Sequence, residues 1–458
     1  MSKKAKGVIL PASLLASTRM SIGNVRILSR SDMCEQLTRT ARKVKETKET
    51  LKTKRKFEEI RMQVYLDYAA ATPMDPRVIA AQMPYLSEQF YNPSAPYDPA
   101  RRIRRDLDLA KDAIAHAIGV KGTQLVMCAG ATEANNLALA SVTGEVITDS
   151  LEHDSILAAI GARPHKFIPT TSDGMVTPEE LQAAITDETE LVSIEAANGE
   201  IGSIQPIRAL ANVVRSVRFS RLERGVSRPI YFHTDASQAE GVLSVNVSSL
   251  GVDMMTLSAA KIYGPKQVGA LYASDAITLT PLVRGGGQEA GLRSGTENCA
   301  GTIAFAKAVE CAEEFKRSGG PCAMQELRDY LERSLISRYP WARVTGPRKN
   351  KLRLCNLLHI SFPKLEARRL VILLERRGVF VATGSACAAS KMNTSHVLKA
   401  LAIPDDIAQG SLRITLGRAT TRAQIDYAIS CIKDVVDEEL ARLHLDEAEL
   451  LASMQARA

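Results

Sequence analysis

From Tyr65 onward, short all-apolar runs alternate with helix-forming stretches, and nothing else in the chain restricts its fold so strongly. The runs QLVMC, GEVIT, ELVSI, PIYFHT, MMTLS and VGALY are too short for helices and nearly all apolar. That is the pattern of strands covered on both faces. Helix signals lie between them. Ile103, Leu107, Ala110, Ile114 and Ile118 are three or four apart, which places them on one helix face. In TPEEL, Thr177, Pro178 and Glu180 spell a capping box with proline at the first helical position. The alternation predicts an α/β fold built on a large, mostly parallel sheet.

The texture changes after CAEEFKRSGG. CNLLHISF, GVFVATGSA and GSLRITLGR read as strands, with EARRLVILLERR among them. A last helix carries Ile425, Ile429, Ile432 and Val436 as its apolar stripe, behind a Thr421/Gln424 capping box. A smaller C-terminal α+β domain is expected. The organisation is therefore an extension over 1–61, a segment over 62–76 packing with the small domain, a large domain over 77–317, a small domain over 318–445, and a tail over 446–458.

The chain of 458 residues has a formal charge of +8, but the charge is local. Residues 1–61 hold sixteen Lys and Arg against six Asp and Glu, so the rest is close to neutral. Charge gives no reason to expect nucleic-acid binding by the globular body. No run of about eighteen apolar residues suggests a membrane span. The first half of the extension is poor in acids and resembles an organellar transit peptide, while its second half reads as a solvated, charge-rich arm. Eight scattered cysteines without CxxC or Cys/His spacing suggest reduced thiols and no metal site. The expected location is the cytosol, or an organelle matrix if the extension is cleaved.

Chemistry enters with Lys261, the first charge after the apolar run MMTLS in MMTLSAAKIYGPKQVGALY. Asp235 ends PIYFHT in the same manner, and ligands bind at the carboxyl ends of parallel strands. An amine and an acid on neighbouring strand ends suit pyridoxal phosphate. The lysine would hold the aldehyde, and the acid would keep the pyridine nitrogen protonated. An ordinary ion pair would look the same. In LVMCAGATEANNLALA a strand leads through Gly130, Ala131 and Thr132 into a helix, a cradle for a phosphate; the alternative is plain capping by Thr132. His153, just past EVIT, would stack on a cofactor ring, or else be structural.

The motifs YLDYAAATPMDP, GATEANNLA, EHDSI, ANGEIGSIQPI, HTDASQAEG, SAAKIYGPKQVGALY, GGGQEAGLRSGTEN, GSACAAS and SLRITLGR occur in the order seen in cysteine desulfurases. From about residue 64 to 440 the chain resembles the nitrogen-fixation and iron–sulfur-cluster-assembly branch of that family, class V, fold-type I pyridoxal phosphate enzymes. The resemblance implies that Lys261 carries pyridoxal 5'-phosphate, Asp235 pairs with the pyridine nitrogen and Gln238 with the ring hydroxyl side. It gives His153 a stacking and proton-shuttling role, and Ala131, Thr132 and Ser258 a place at the phosphate. Thr296 would reach the phosphate of a neighbouring subunit, making a homodimer. Asn198, also counted among the cofactor-binding positions, and Arg413 would grip the carboxylate of L-cysteine.

By the same resemblance, Cys387, in a Ser- and Ala-rich loop, would attack the substrate sulfur, giving L-alanine and a persulfide. An iron–sulfur scaffold or another sulfur-acceptor protein would take the sulfur, with Cys387 transiently touching a cluster there. Selenocysteine lyase, aminotransferase and a non-catalytic scaffold homologue are the alternatives. The chain departs from the family pattern at four places: Ala260 where a phosphate-contacting histidine is usual, Gly199 for a second asparagine, Ala290 for an arginine, and Tyr97 for a histidine.

Overall fold

The computed structural model describes residues 62–161, 163–384 and 395–456, and residues 62–458 form one compact unit. β1 (Val64–Tyr65) opens the described chain. The main sheet then collects β2 (Leu125–Cys128), β3 (Glu145–Asp149), β4 (His165–Ile168), β5 (Thr189–Ser193), β6 (Tyr231–Asp235), β7 (Met254–Ser258) and β8 (Gly269–Ala273). Their spatial order is β2-β8-β7-β6-β5-β3-β4, and β8 runs against both of its neighbours while the other pairs are parallel.

Side chains alternate across this sheet. Leu125, Met127, Met255 and Leu257 enter one core, whereas Val126, Cys128, Met254 and Leu271 enter the core on the opposite face. Both faces are covered by helices, which explains why these strands read as unbroken apolar runs. β4 is the exception. It is an edge strand whose His165, Lys166 and Phe167 are exposed, so it carries no apolar run to read.

The helix Asp98–Ile118 buries Ile103, Leu107, Ala110, Ile114 and Ile118 and ends at Gly119 with φ of 79°, a left-handed cap that glycine adopts without strain. Thr177 Oγ1 accepts from Glu180 N at 3.2 Å. At the helix Arg422–Leu443 the reciprocal box is complete, with Gln424 N donating to Thr421 Oγ1 at 3.3 Å and Thr421 N to Gln424 Oε1 at 2.9 Å.

A second core forms around β9 (Arg343–Val344), β10 (Leu357–Ser361) and β12 (Ser411–Thr415), an antiparallel sheet in the order β12-β10-β9. Leu358, Ile360, Leu412 and Ile414 meet Ile425, Ile429, Ile432 and Val436 there. Val64 and Leu66 belong to the same core, because β1 pairs in parallel with β11 (Val379–Phe380).

Candidate active site

The carboxyl ends of β2, β3, β5, β6 and β7 surround a cavity of about 330 Å³. It is lined by Lys261, His153, Ala131, Thr132, Asn198, Asp235, Gln238, Ser258 and Arg413. Thr296 lies outside it, exposed on the loop before the helix Cys299–Arg317. Cys387 is outside the described residues. The chain on either side of 385–394 does come to the cavity, since Ala382 bridges Arg413 and His396 lines the wall.

Asp235 and Lys261 are where the acid–amine reading puts them. Asp235 is the last residue of β6, and Lys261 closes a short 3-10 turn directly after β7, its parallel neighbour. Lys261 Nζ donates to the carbonyls of Ala69 and Ala70 at 2.6 and 2.9 Å, and Gln238 Nε2 to Ala69 O at 3.1 Å. Asp235 Oδ1 accepts from Ser237 N at 2.9 Å, and Oδ2 from Asn135 Nδ2 at 2.7 Å. The same Asn135 amide reaches Ser155 Oγ at 2.8 Å, and that hydroxyl lies 2.9 Å from His153 Nδ1. Acid and imidazole are thus tied together through one buried asparagine.

His153 is structural here and also lies at the cavity. Its Nδ1 accepts from Ser155 N at 3.1 Å and so caps the helix Asp154–Ile160, while the residue lines the cavity. Accepting at Nδ1 leaves Nε2 to carry the proton of the neutral ring. Thr132 does not cap its helix. The cap of Ala131–Ala140 is Gly130, at φ 104° and ψ 178°, with no side-chain bond to the first turn. The leading amides therefore remain available to a ligand, at the positive end of a ten-residue helix.

Asn198 lines the cavity, yet its amide is fully engaged by the protein. Nδ2 donates to Leu151 O and Glu195 Oε1, and Oδ1 accepts from Glu200 N and Ile201 N. Gly199 has a local reason to be small: a Cβ there would fall 2.8 Å from Gln238 Nε2. Arg413, on β12, binds Asp67 Oδ1 at 2.7 Å and Gly199 O at 3.1 Å.

Several cavity residues gave no signal in the sequence. Glu152 and Glu195 are buried and linked, with Glu195 N donating to Glu152 Oε1 at 2.6 Å. Burial, and after it the neighbouring carboxylates, holds both well above the usual carboxylate range. The shift favours their protonated forms, so the wall repels an anion less than its acid count suggests. Burial likewise lifts Asp149 to about 6, and it pushes His233, which bridges Ser193 and Thr256, down to about 4. His396 Nε2 lies 3.1 Å from Glu152 O.

These residues fit pyridoxal phosphate. An open helix N-terminus behind Gly130, with Thr132 and Ser258 nearby, suits the phosphate. Gly269 keeps that cradle low, because a Cβ there would lie 2.8 Å from Gly130 Cα. Asp235, oriented by two donors, suits a protonated ring nitrogen. Ala260 supplies no side-chain donor; its carbonyl is held by Thr72 Oγ1 at 2.9 Å.

Comparison with known proteins agrees with this geometry. The family model "Aminotransferase class-V" matches residues 64–428. The chain belongs to that family. Among class V relatives, the cysteine desulfurase IscS of Dictyoglomus turgidum is 38% identical over 396 residues, covering 83% of this chain and 96% of the relative. A cysteine desulfurase of Cereibacter sphaeroides is 35% identical over 390 residues, covering 82% and 96%. A solved NifS-like protein superposes with a TM-score of 0.75 at 31% identity, covering 82% of this chain and all of that one. The structure described as SspA in complex with cysteine gives 0.65 at 29%, covering 78% and 100%.

Proposed function

We propose that this protein is a pyridoxal phosphate-dependent L-cysteine desulfurase that releases L-alanine and leaves a persulfide on Cys387. One observation carries the reading. Asp235 and Lys261 stand at the ends of adjacent parallel strands, over a cavity that the Gly130 cradle closes on another side. When bound, pyridoxal phosphate supplies an aldehyde for amines and a ring that withdraws electrons.

The chain's own residues do the rest. Lys261 offers the amine, steered by the two carbonyls at Ala69 and Ala70. Asp235 holds a proton-bearing ring nitrogen in place, and Asn135 fixes the acid. His153, with its proton on Nε2, is placed to exchange that proton with the substrate thiol or the carbon that loses it. Arg413 takes the substrate carboxylate. The Cys387 thiolate takes the sulfur; the carbon keeps the bond pair and gains a proton, so cysteine leaves as alanine and the enzyme carries Cys–S–SH.

The persulfide sulfur passes to an iron–sulfur scaffold or another acceptor protein, for cluster assembly or tRNA thiolation. The same reading makes the protein a cytosolic homodimer in which Thr296 serves the neighbouring subunit. Its support is the exposure of Thr296 away from its own cavity and the free thiols of the described cysteines.

The test is peptide mass spectrometry of the cofactor-loaded protein after L-cysteine is added. One extra sulfur atom on Cys387, together with L-alanine in solution, is expected, and borohydride should fix the cofactor on Lys261. Unmodified Lys261 and no alanine would overturn the reading. Turnover that survives Cys387→Ala would move it to an aminotransferase.

A further inference from the structure

Behind Arg413 the small sheet carries a buried polar row. The Arg413 backbone exchanges both of its hydrogen bonds with Ala382, at 2.7 and 3.1 Å. Its other neighbour, His359 on β10, is therefore its partner in a non-hydrogen-bonded pair, the arrangement in which cross-strand side chains lie closest. On the far side of His359, Thr345 N donates to His359 O at 3.2 Å, which places Thr345 in the same row. The positions between them, Leu358, Ile360, Leu412 and Ile414, face the apolar core.

Thr345, His359 and Arg413 are 3%, 0% and 4% exposed. Thr345 Oγ1, both His359 ring nitrogens and Arg413 Nε have no hydrogen-bond partner among the described residues. Buried polar groups are nearly always paired, directly or through an ordered water. Donors and acceptors in this row match one another in order. A neutral imidazole has one lone pair for Arg413 Nε–H and one N–H for Thr345 Oγ1.

We propose that His359 is a positioning residue for substrate binding, which accepts Arg413 Nε–H and donates to Thr345 Oγ1, directly or through one buried water. The inference deepens the proposed role of Arg413 as the carboxylate clamp and rests on it. Asp67 and Gly199 each take one Nη hydrogen of Arg413, at 2.7 and 3.1 Å. One hydrogen on each Nη then remains for a carboxylate, and Nε remains for His359. Without the His359 contact the guanidinium plane turns more freely about its Cδ–Nε bond, and the fork loses its aim. Burial, with the Arg413 charge adding to it, pushes His359 down to about 3, so the ring keeps its lone pair.

The test compares the product L-alanine with L-alaninamide, which lacks the carboxylate, in calorimetric titrations of the holoenzyme. His359→Leu is expected to weaken L-alanine binding about tenfold, the loss of one hydrogen bond to a charged group, and to leave L-alaninamide binding unchanged. KM for L-cysteine should rise more than kcat falls. His359→Asn, which keeps a donor and an acceptor, should restore most of the L-alanine affinity. Equal weakening of both ligands, or full L-alanine affinity in His359→Leu, would overturn the inference while leaving Arg413 as the clamp. If the unsubstituted protein binds the two ligands equally, the Arg413 reading itself fails, and the inference fails with it.

Discussion

A single amide does the most at the residue scale. Asn135 is buried, bonds Asp235 and Ser155, and through Ser155 reaches His153. Hydrogen bonds to a buried charge are worth more than neutral ones, and leaving such a charge short of a donor costs more than the bond itself contributed. Asn135→Ala should therefore weaken cofactor binding about ten- to a hundredfold, from roughly 1.5–3 kcal/mol. Fluorescence titration of apoprotein with pyridoxal phosphate measures this. Unchanged affinity would mean that Ser237 N alone holds the acid. The sequence displayed Asn135 inside GATEANNLA without marking it. Its meaning depends on Asp235, a hundred residues away, so spacing could not reveal it. Glu152, Glu195 and His396 escaped for the same reason.

Element geometry decides the phosphate cradle. Gly130 combines φ 104° with ψ 178°, a region essentially reserved for glycine. A Cβ there would meet nothing within 4 Å, so the penalty for a side chain lies in the backbone and not in a clash. Gly130→Ala should cost about 1–3 kcal/mol of stability, seen as a lower melting temperature of apoprotein. If the backbone shifts to relieve the strain, the leading amides turn away and pyridoxal phosphate binds more weakly as well. An alanine variant with unchanged melting temperature and cofactor affinity would contradict this account. The strand–Gly–helix pattern was legible because each part is local. The identity of the cap was not: Thr132 and Gly130 differ only in backbone dihedrals that tertiary packing sets.

Over the whole molecule, burial of acids sets the pH dependence of stability. Glu240 is 3% exposed, and burial pushes it up to about 8 from an ordinary 4.5, against the opposing pull of the Lys316 charge and the Ser258 backbone. Between those values the unfolded chain has released this proton and the native protein has kept it. The native state then binds more protons, and stability falls as pH rises. The Glu240 contribution is complete below about pH 4.5 and is lost as pH passes about 8. Glu240→Gln removes the titration, so denaturant unfolding at pH 5 and pH 8.5 should differ less in the variant than in the parent. An identical difference in both would show that Glu240 is ionised in the native state.

Local chemistry written in the sequence determined the sheet strands with apolar runs, the amphipathic helix face at Ile103–Ile118, the Thr421/Gln424 cap, and the succession of Asp235, Lys261 and the Gly130 turn behind strands. Each is fixed by near neighbours, through propensity, periodicity and turn geometry. Tertiary structure alone decided the rest. It brought β4 in as a polar edge, used up the Asn198 amide in holding a turn, and raised the proton affinity of Glu152 and Glu195 by excluding water. It also aligned His359 with Arg413 across two strands that are far apart in sequence. Burial, charge coupling and register depend on what the rest of the chain places nearby, and a linear pattern does not carry that information.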